Sequence, residues 1–175
     1  CGDLDPSIVT FLMEQEGLTA KEMDDLLNKK SGMLGVCGYS DDRDVTSAEI
    51  RGDHRAALTH EMLIYQIAKY IGAYAAAMNG LDAIVFTAGL GENVPKIRYG
   101  VCRYLRFLGT KVDGVLNDQM ILGKGGKISS FDSQVQVWVI PTNEELMIAR
   151  DTKEIVAGFS YATAEDKTVV DPEDI

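Results

Sequence analysis

Positive charge is in short supply in this sequence: 17 Lys and Arg stand against 27 Asp and Glu over 175 residues, a formal net charge of −10. Surfaces that track nucleic-acid phosphates need clustered cations, so the composition argues against nucleic acid as a partner. Long hydrophobic runs are missing too. No stretch approaches the roughly 20 apolar residues of a membrane span, and the opening Cys1-Gly-Asp-Leu-Asp5 has neither the basic start nor the apolar centre of a signal peptide. Cysteine is sparse. Cys1, Cys37 and Cys102 form no CxxC pair, which argues against a disulfide framework or a thiolate metal site and for a reducing, cytoplasmic setting. What remains is ordinary globular composition, 46% hydrophobic, in a chain long enough for one domain or a piece of a larger one.

The start is abrupt, with no Met and a helix entry already at Asp5-Pro6, an N-cap followed by Pro at the first helical position. The chain reads as a fragment. Ile8, Val9, Leu12 and Met13 recur at helical spacing up to Gly17, and the capping-box spacing Thr19 to Glu22 opens a second helix. Beyond Ser31-Gly-Met-Leu-Gly35 a Gly-punctuated loop is expected from Gly35 to Asp44. The longest helical pattern runs from about Asp53 to Met78. Its apolar residues, among them Leu58, Met62, Tyr65, Ile71 and Met78, spread over more than one face, so the helix is expected to be covered on several sides, as a central element or a subunit interface. His54 and His60 fall near its polar beginning and read as surface histidines. Ala83 to Ala88 is a continuous apolar run, the pattern of a strand buried on both faces. After Pro95 come an amphipathic helix with Ile97, Val101, Leu105 and Leu108, and a Gly-rich loop region including Gly114. A short strand near Lys127 to Ser130, a strand over Val135 to Ile140 and a last helix with Leu146, Ile148 and Ile155 complete an α/β layer. Residues 1–158 form the expected domain, and 159–175 an acidic, frayed tail.

Two strand-to-helix corners could carry chemistry, because ligands of open α/β sheets bind outside the carboxyl ends of the strands. At Gly89-Leu-Gly-Glu-Asn93 the glycines either clear space for a nucleotide against bare backbone or merely permit a tight turn and close packing. At Thr142-Asn-Glu-Glu145 the acids either complete a well-capped helix or supply one carboxylate to Mg²⁺, which usually takes one or two protein carboxylates and fills its other positions with water and phosphate oxygens. If both corners edge one cleft, the chemistry is phosphoryl transfer. Asp41-Asp42-Arg43-Asp44 is then either a solvated charged loop or an Arg held by flanking carboxylates and offered to a transferring phosphoryl group.

The stretches Gly2-Asp-Leu-Asp-Pro6, Ser31-Gly-Met-Leu-Gly35, Tyr70-Ile-Gly-Ala-Tyr-Ala-Ala-Ala-Met-Asn79, Phe86-Thr-Ala-Gly-Leu-Gly-Glu-Asn93 and Pro141-Thr-Asn-Glu-Glu-Leu-Met-Ile-Ala-Arg150 together resemble the C-terminal region of the acetate kinase family, from Cys1 to about Val156. The resemblance implies a mixed sheet flanked by helices, the C-terminal part of a ribonuclease H-like, actin-like ATPase domain. It also implies conversion of ATP and acetate to ADP and acetyl phosphate with Mg²⁺, in a cytoplasmic homodimer formed through this domain. By that likeness Gly89, Leu90, Gly91, Glu92 and Asn93 contact the nucleotide, Glu144 holds Mg²⁺, Asp41 and Asp42 line the adenosine side, and Arg43 faces the transfer. One departure stands out: where the family's Asp-Met/Phe-Arg element is apolar in the middle, this chain has Asp42. The acetate-pocket arginine, the catalytic aspartate and the first phosphate loop of the family would lie upstream of Cys1. The chain alone is therefore expected to form no acetyl phosphate. Propionate or butyrate kinase, or a dimerisation module without activity, are the rival readings.

Overall fold

The computed structural model describes residues 3–158; Cys1, Gly2 and the acidic stretch 159–175 lie outside them. Two compact units divide between Pro141 and Thr142. In the first unit α1 (Pro6–Glu16) begins at the Asp5 N-cap, which accepts from the Ser7 N–H, and ends at Gly17 in the left-handed region. The capping box of Thr19 and Glu22 opens α2 (Ala20–Lys29). The stretch expected to be a loop is instead mostly helical: α3 (Gly32–Cys37) and α4 (Asp42–Ile50) flank a connection of only 38–41. Local glycine and charge content suggested loop, but the charges of Asp42 and Asp44 sit in the electropositive first turn of α4, where they stabilise it.

α5 (His54–Ala77) carries Ile64 and Ala68 into the main core. Among the described residues it is covered along one side only, for Leu58, Met62, Tyr65, Tyr74 and Met78 are exposed. β1 (Ala83–Phe86) and β3 (Gln136–Val139) pair in parallel, Ile84 opposite Val137 and Phe86 opposite Val139, and β2 (Gly126–Lys127) adds antiparallel to β3. The sheet is mixed, in the order β1-β3-β2. β1 is shorter than its apolar run and buries one face, with Val85 50% exposed on the other. Ile84, Phe86, Val137 and Val139 meet Ile64, Ala68, Ile97 and Val101 in one core. α5 and α7 (Pro95–Tyr104) can approach closely because residue 100 is glycine: a Cβ there would lie 2.7 Å from Ile64 Cδ1.

The Gly-rich stretch after β1 forms α6 (Ala88–Asn93), a helical turn rather than an open loop. Ala88 takes a left-handed φ of 59° at the corner, a conformation that costs a non-glycine residue about 1 kcal/mol. Gly91 has a packing reason to be glycine, since a Cβ would come within 3.3 Å of the Phe86 carbonyl carbon. The expected loop around Gly114 holds another helix, α8 (Gly114–Gln119), capped by Asp113. The strand expected over Lys127 to Ser130 is reduced to β2 and a single bridge between Val112 and Ser129.

Arg98 joins these pieces. It is fully buried on the apolar stripe of α7, and all its N–H groups are used. Nε donates to Asn117 Oδ1 at 2.8 Å, Nη1 to the carbonyls of Gly91 and Glu92 at 2.9 and 2.8 Å, and Nη2 to those of Asn117 and Met120 at 2.6 and 2.9 Å. The guanidinium thus closes the carboxyl ends of α6 and α8, where orphan carbonyls and the negative end of the helix dipole welcome a cation. Burial draws its pKa below the ordinary arginine value, with the Asp118 charge acting the other way.

The second unit contains α9 (Glu144–Val156), capped by Asn143, whose Oδ1 accepts from the Leu146 N–H at 2.9 Å.

Replacing Arg98 by Met leaves four carbonyls and one amide oxygen without their donor. We expect a loss of about 4 kcal/mol, since each unpaired buried polar group costs about 1–3 kcal/mol before water relieves part of it. Urea unfolding measures it as a lowered midpoint, with Arg98→Lys intermediate.

Candidate functional site

The site is assembled from the starts of α4 and α7 and the ends of α6 and α8. A cavity of about 850 Å³ is lined by Asp42, Arg43, Asn93, Lys96, Tyr99 and Asn117, together with Thr46, Val94, Pro95, Gly114 and Asp118. Two sequence-predicted elements, Asp42-Arg43 and Asn93, therefore meet in one concave space although 50 residues separate Arg43 from Asn93 (93 − 43). Such a volume suits a small-molecule ligand.

Each predicted residue has a defined local environment. Asp41 is the N-cap of α4 and accepts from the Arg43 backbone N–H at 2.9 Å, from Arg43 Nε at 3.0 Å and from Nη2 at 2.6 Å. That forked pair aims Arg43 while leaving its side chain 89% exposed. The Arg43 side-chain hydrogen bonds, then its backbone N–H, hold the Asp41 carboxyl down at about 2. Asn93 ends α6; its Nδ2 donates to the Gly89 carbonyl at 3.1 Å and its Oδ1 accepts from the Leu122 N–H at 2.9 Å, which pins the end of the Gly-rich turn to the chain after α8. Gly89 has open space where a Cβ would be, whereas Gly91 is packed on β1. The packing alternative holds at Gly91. Leu90 and Glu92 share the same turn, and the Glu92 carbonyl is one of the acceptors of Arg98.

Asp42, besides lining the cavity, contacts α5. Its Oδ1 lies 3.0 Å from His60 Nε2, and His60 Nδ1 lies 2.7 Å from Glu49 Oε2. His60 is not a surface histidine: it is 1% exposed, between two carboxylates of α4. The sequence signal for it was weak, because its partners stand 18 and 11 residues away and only the packing of α4 on α5 unites them. His54, by contrast, is exposed. Glu49 also pairs with Lys96 of the cavity wall. Burial pushes the Glu49 carboxyl up, but the bonds from Lys96 and His60 outweigh this and hold it below its usual value. Arg98 and Asn117, which position the cavity walls, were likewise missed. The signal for Arg98 was its place on the apolar stripe of Ile97, Val101 and Leu105.

Glu144 stands exposed in the first turn of α9, within the second unit. No group of three or more His, Cys, Asp or Glu side chains poised for a metal occurs among the described residues. A single free-standing carboxylate still fits Mg²⁺, whose remaining positions go to water and phosphate oxygens. Cys102 is buried, which pushes its thiol up to about 12. No helix among the described residues is long and apolar enough to cross a membrane.

Comparison with known proteins gives concordant matches. The acetokinase family profile matches residues 1–150. The acetate kinase of Thermotoga maritima is 61% identical over 157 residues, and that of Carboxydothermus hydrogenoformans 59% over 155, each match covering 89% of this chain. The chain spans only 39% and 38% of those relatives' lengths. Among solved structures, Porphyromonas gingivalis acetate kinase superposes with a TM-score of 0.81 at 49% identity, covering 89% of this chain and 39% of that one. A Francisella tularensis propionate kinase gives 0.78 at 39% identity, covering 86% and 38%.

The Asp41 carboxylate is the charged partner of Arg43, so its interaction is fully present above the unfolded value near 3.8 and is lost as pH falls through about 2. An NMR titration of the side-chain carboxyl should place its midpoint there. In Arg43→Gln it should return most of the way toward 3.8, the backbone N–H bond remaining.

Proposed function

The chain belongs to the acetokinase family, and we propose that it supplies the nucleotide and Mg²⁺ side of a phosphotransferase that moves the γ-phosphoryl of ATP to acetate, reversibly, giving ADP and acetyl phosphate. The observation that carries this reading is the single cavity into which Asp42-Arg43 and Asn93 converge from separate helices. In it the exposed guanidinium of Arg43, aimed by Asp41, faces the phosphates and offsets negative charge on their oxygens. The Gly89 to Asn93 turn contacts the nucleotide, with Gly89 leaving room for close approach to bare backbone. Leu90 and Glu92 belong to the same contact surface, and Asp41 and Asp42 to the adenosine side. Glu144 would hold Mg²⁺, which when bound neutralises charge on the phosphate oxygens.

Acetate as the acceptor is supported by the 61% identity to the Thermotoga maritima acetate kinase. The working protein in this reading is a cytoplasmic homodimer, and the chain by itself forms no acetyl phosphate.

Calorimetric titration with Mg·ADP tests the reading. The chain is expected to bind, Arg43→Ala to lose about tenfold in affinity, as expected for a charge-assisted contact to phosphate, and Glu144→Gln to bind with a weakened dependence on Mg²⁺. Self-association without any nucleotide binding would instead favour a dimerisation module.

A further inference from the structure

α5 places the buried imidazole of His60 against Asp42. Both ring nitrogens of His60 face carboxylate oxygens, Nε2 toward Asp42 at 3.0 Å and Nδ1 toward Glu49 at 2.7 Å. A carboxylate only accepts, so both contacts are satisfied at once only when the ring carries a proton on each nitrogen; the neutral ring can serve one of them. Asp42 also lines the cavity beside Arg43, so whatever holds its carboxylate acts on charge at the ligand's edge.

We propose that His60 is a positioning residue of the nucleotide cavity: as an imidazolium it draws the Asp42 carboxylate to the helix interface and away from bound phosphates, so that nucleotide affinity is linked to the proton on His60. The inference rests on the nucleotide reading of the cavity and adds to it a residue outside the cavity wall. The charged groups around the ring are few. Asp42 and Glu49 come from α4, and Arg43 and Asp44 flank Asp42 in the same turn. From α7, Lys96 reaches the ring only through Glu49, while Arg98 is turned to the carbonyls of α6 and α8. α3 packs on α5 with no charged residue of its own. When the second proton leaves, one of the two carboxylates loses its donor. Glu49 keeps Lys96, so the carboxylate released is that of Asp42. Its negative charge then opposes an anionic ligand and competes with Asp41 for Arg43. Binding and protonation must favour one another reciprocally, so ADP binding draws in protons.

The test is Mg·ADP titration of the chain at about pH 6 and about pH 8, spanning the range in which imidazoles ordinarily change charge. In buffers of different ionisation enthalpy the same titrations count protons taken up. The native chain should lose about fivefold in affinity at the higher pH, the lower end of ordinary coupling between sites. Asp42→Asn and His60→Gln should both flatten that dependence and abolish the histidine-linked proton uptake. The double variant Asp42→Leu with His60→Leu removes the buried ring without stranding a charge, and should bind equally well at both pH values. Native binding with no pH dependence, or a dependence that survives in Asp42→Asn, overturns the proposal while leaving the nucleotide reading intact. Should the native chain bind no ADP at either pH, the nucleotide reading fails and this linkage with it. Circular dichroism identifies a variant that has merely unfolded, in which case Asp42→Asn, a nearly isosteric change, decides.

Discussion

A guanidinium with no carboxylate in hydrogen-bonding contact sits at the centre of this structure. Arg98 is sealed from solvent, and its partners are the carbonyls of Gly91, Glu92, Asn117 and Met120 and the side-chain oxygen of Asn117. Burying a charge is costly, and it is tolerated here because every donor is met and because helix carboxyl ends are themselves electronegative. The geometry of the cavity follows from that arrangement. α6 is too short to hold its own orientation, and the corner before it spends backbone strain at Ala88. Arg98 from one side and the Asn93 bond to Leu122 from the other fix its end, and Asn93 is thereby presented to the cavity.

In the proposed nucleotide reading, the cavity shows how an acidic chain can prepare a place for an anion. The net charge is −10, yet three acids at or beside the wall have partners: Asp41 has Arg43, Glu49 has Lys96, and Asp42 lies against His60. Local pairing of this kind matters more to a bound phosphate than the total, because charges beyond about 8–10 Å are screened at physiological salt. Asp118 is the remaining carboxylate on the wall.

Much of this was legible in the sequence where the signal is local. The caps at Asp5 and Thr19, the long helix from about Asp53, the strand run at Ala83 and the last helix with Leu146, Ile148 and Ile155 are written in neighbouring residues, and their elements appear where the pattern sets them. The failures have a common cause. α4 and α8 hide behind charges and glycines that look like loop until an N-cap and a packing partner are supplied. His60 looked superficial because it follows a polar helix start, and only contact between α4 and α5 shows it to be interior. The convergence of Arg43 with Asn93 is likewise tertiary. The resemblance pointed to both residues, but periodicity could not have brought them together.

The meeting of Gly100 and Ile64 has a further consequence. With a Cβ at 100 only 2.7 Å from the Ile64 terminal methyl, the two positions share one fixed volume between α5 and α7. A side chain at 100 requires a slimmer or displaced one at 64, and with glycine already at 100 no smaller residue there can make room for a larger one at 64. Since α5 bears His60 and α7 bears Lys96 and Arg98, a mismatch at this distant seam would tilt those side chains out of register with their partners.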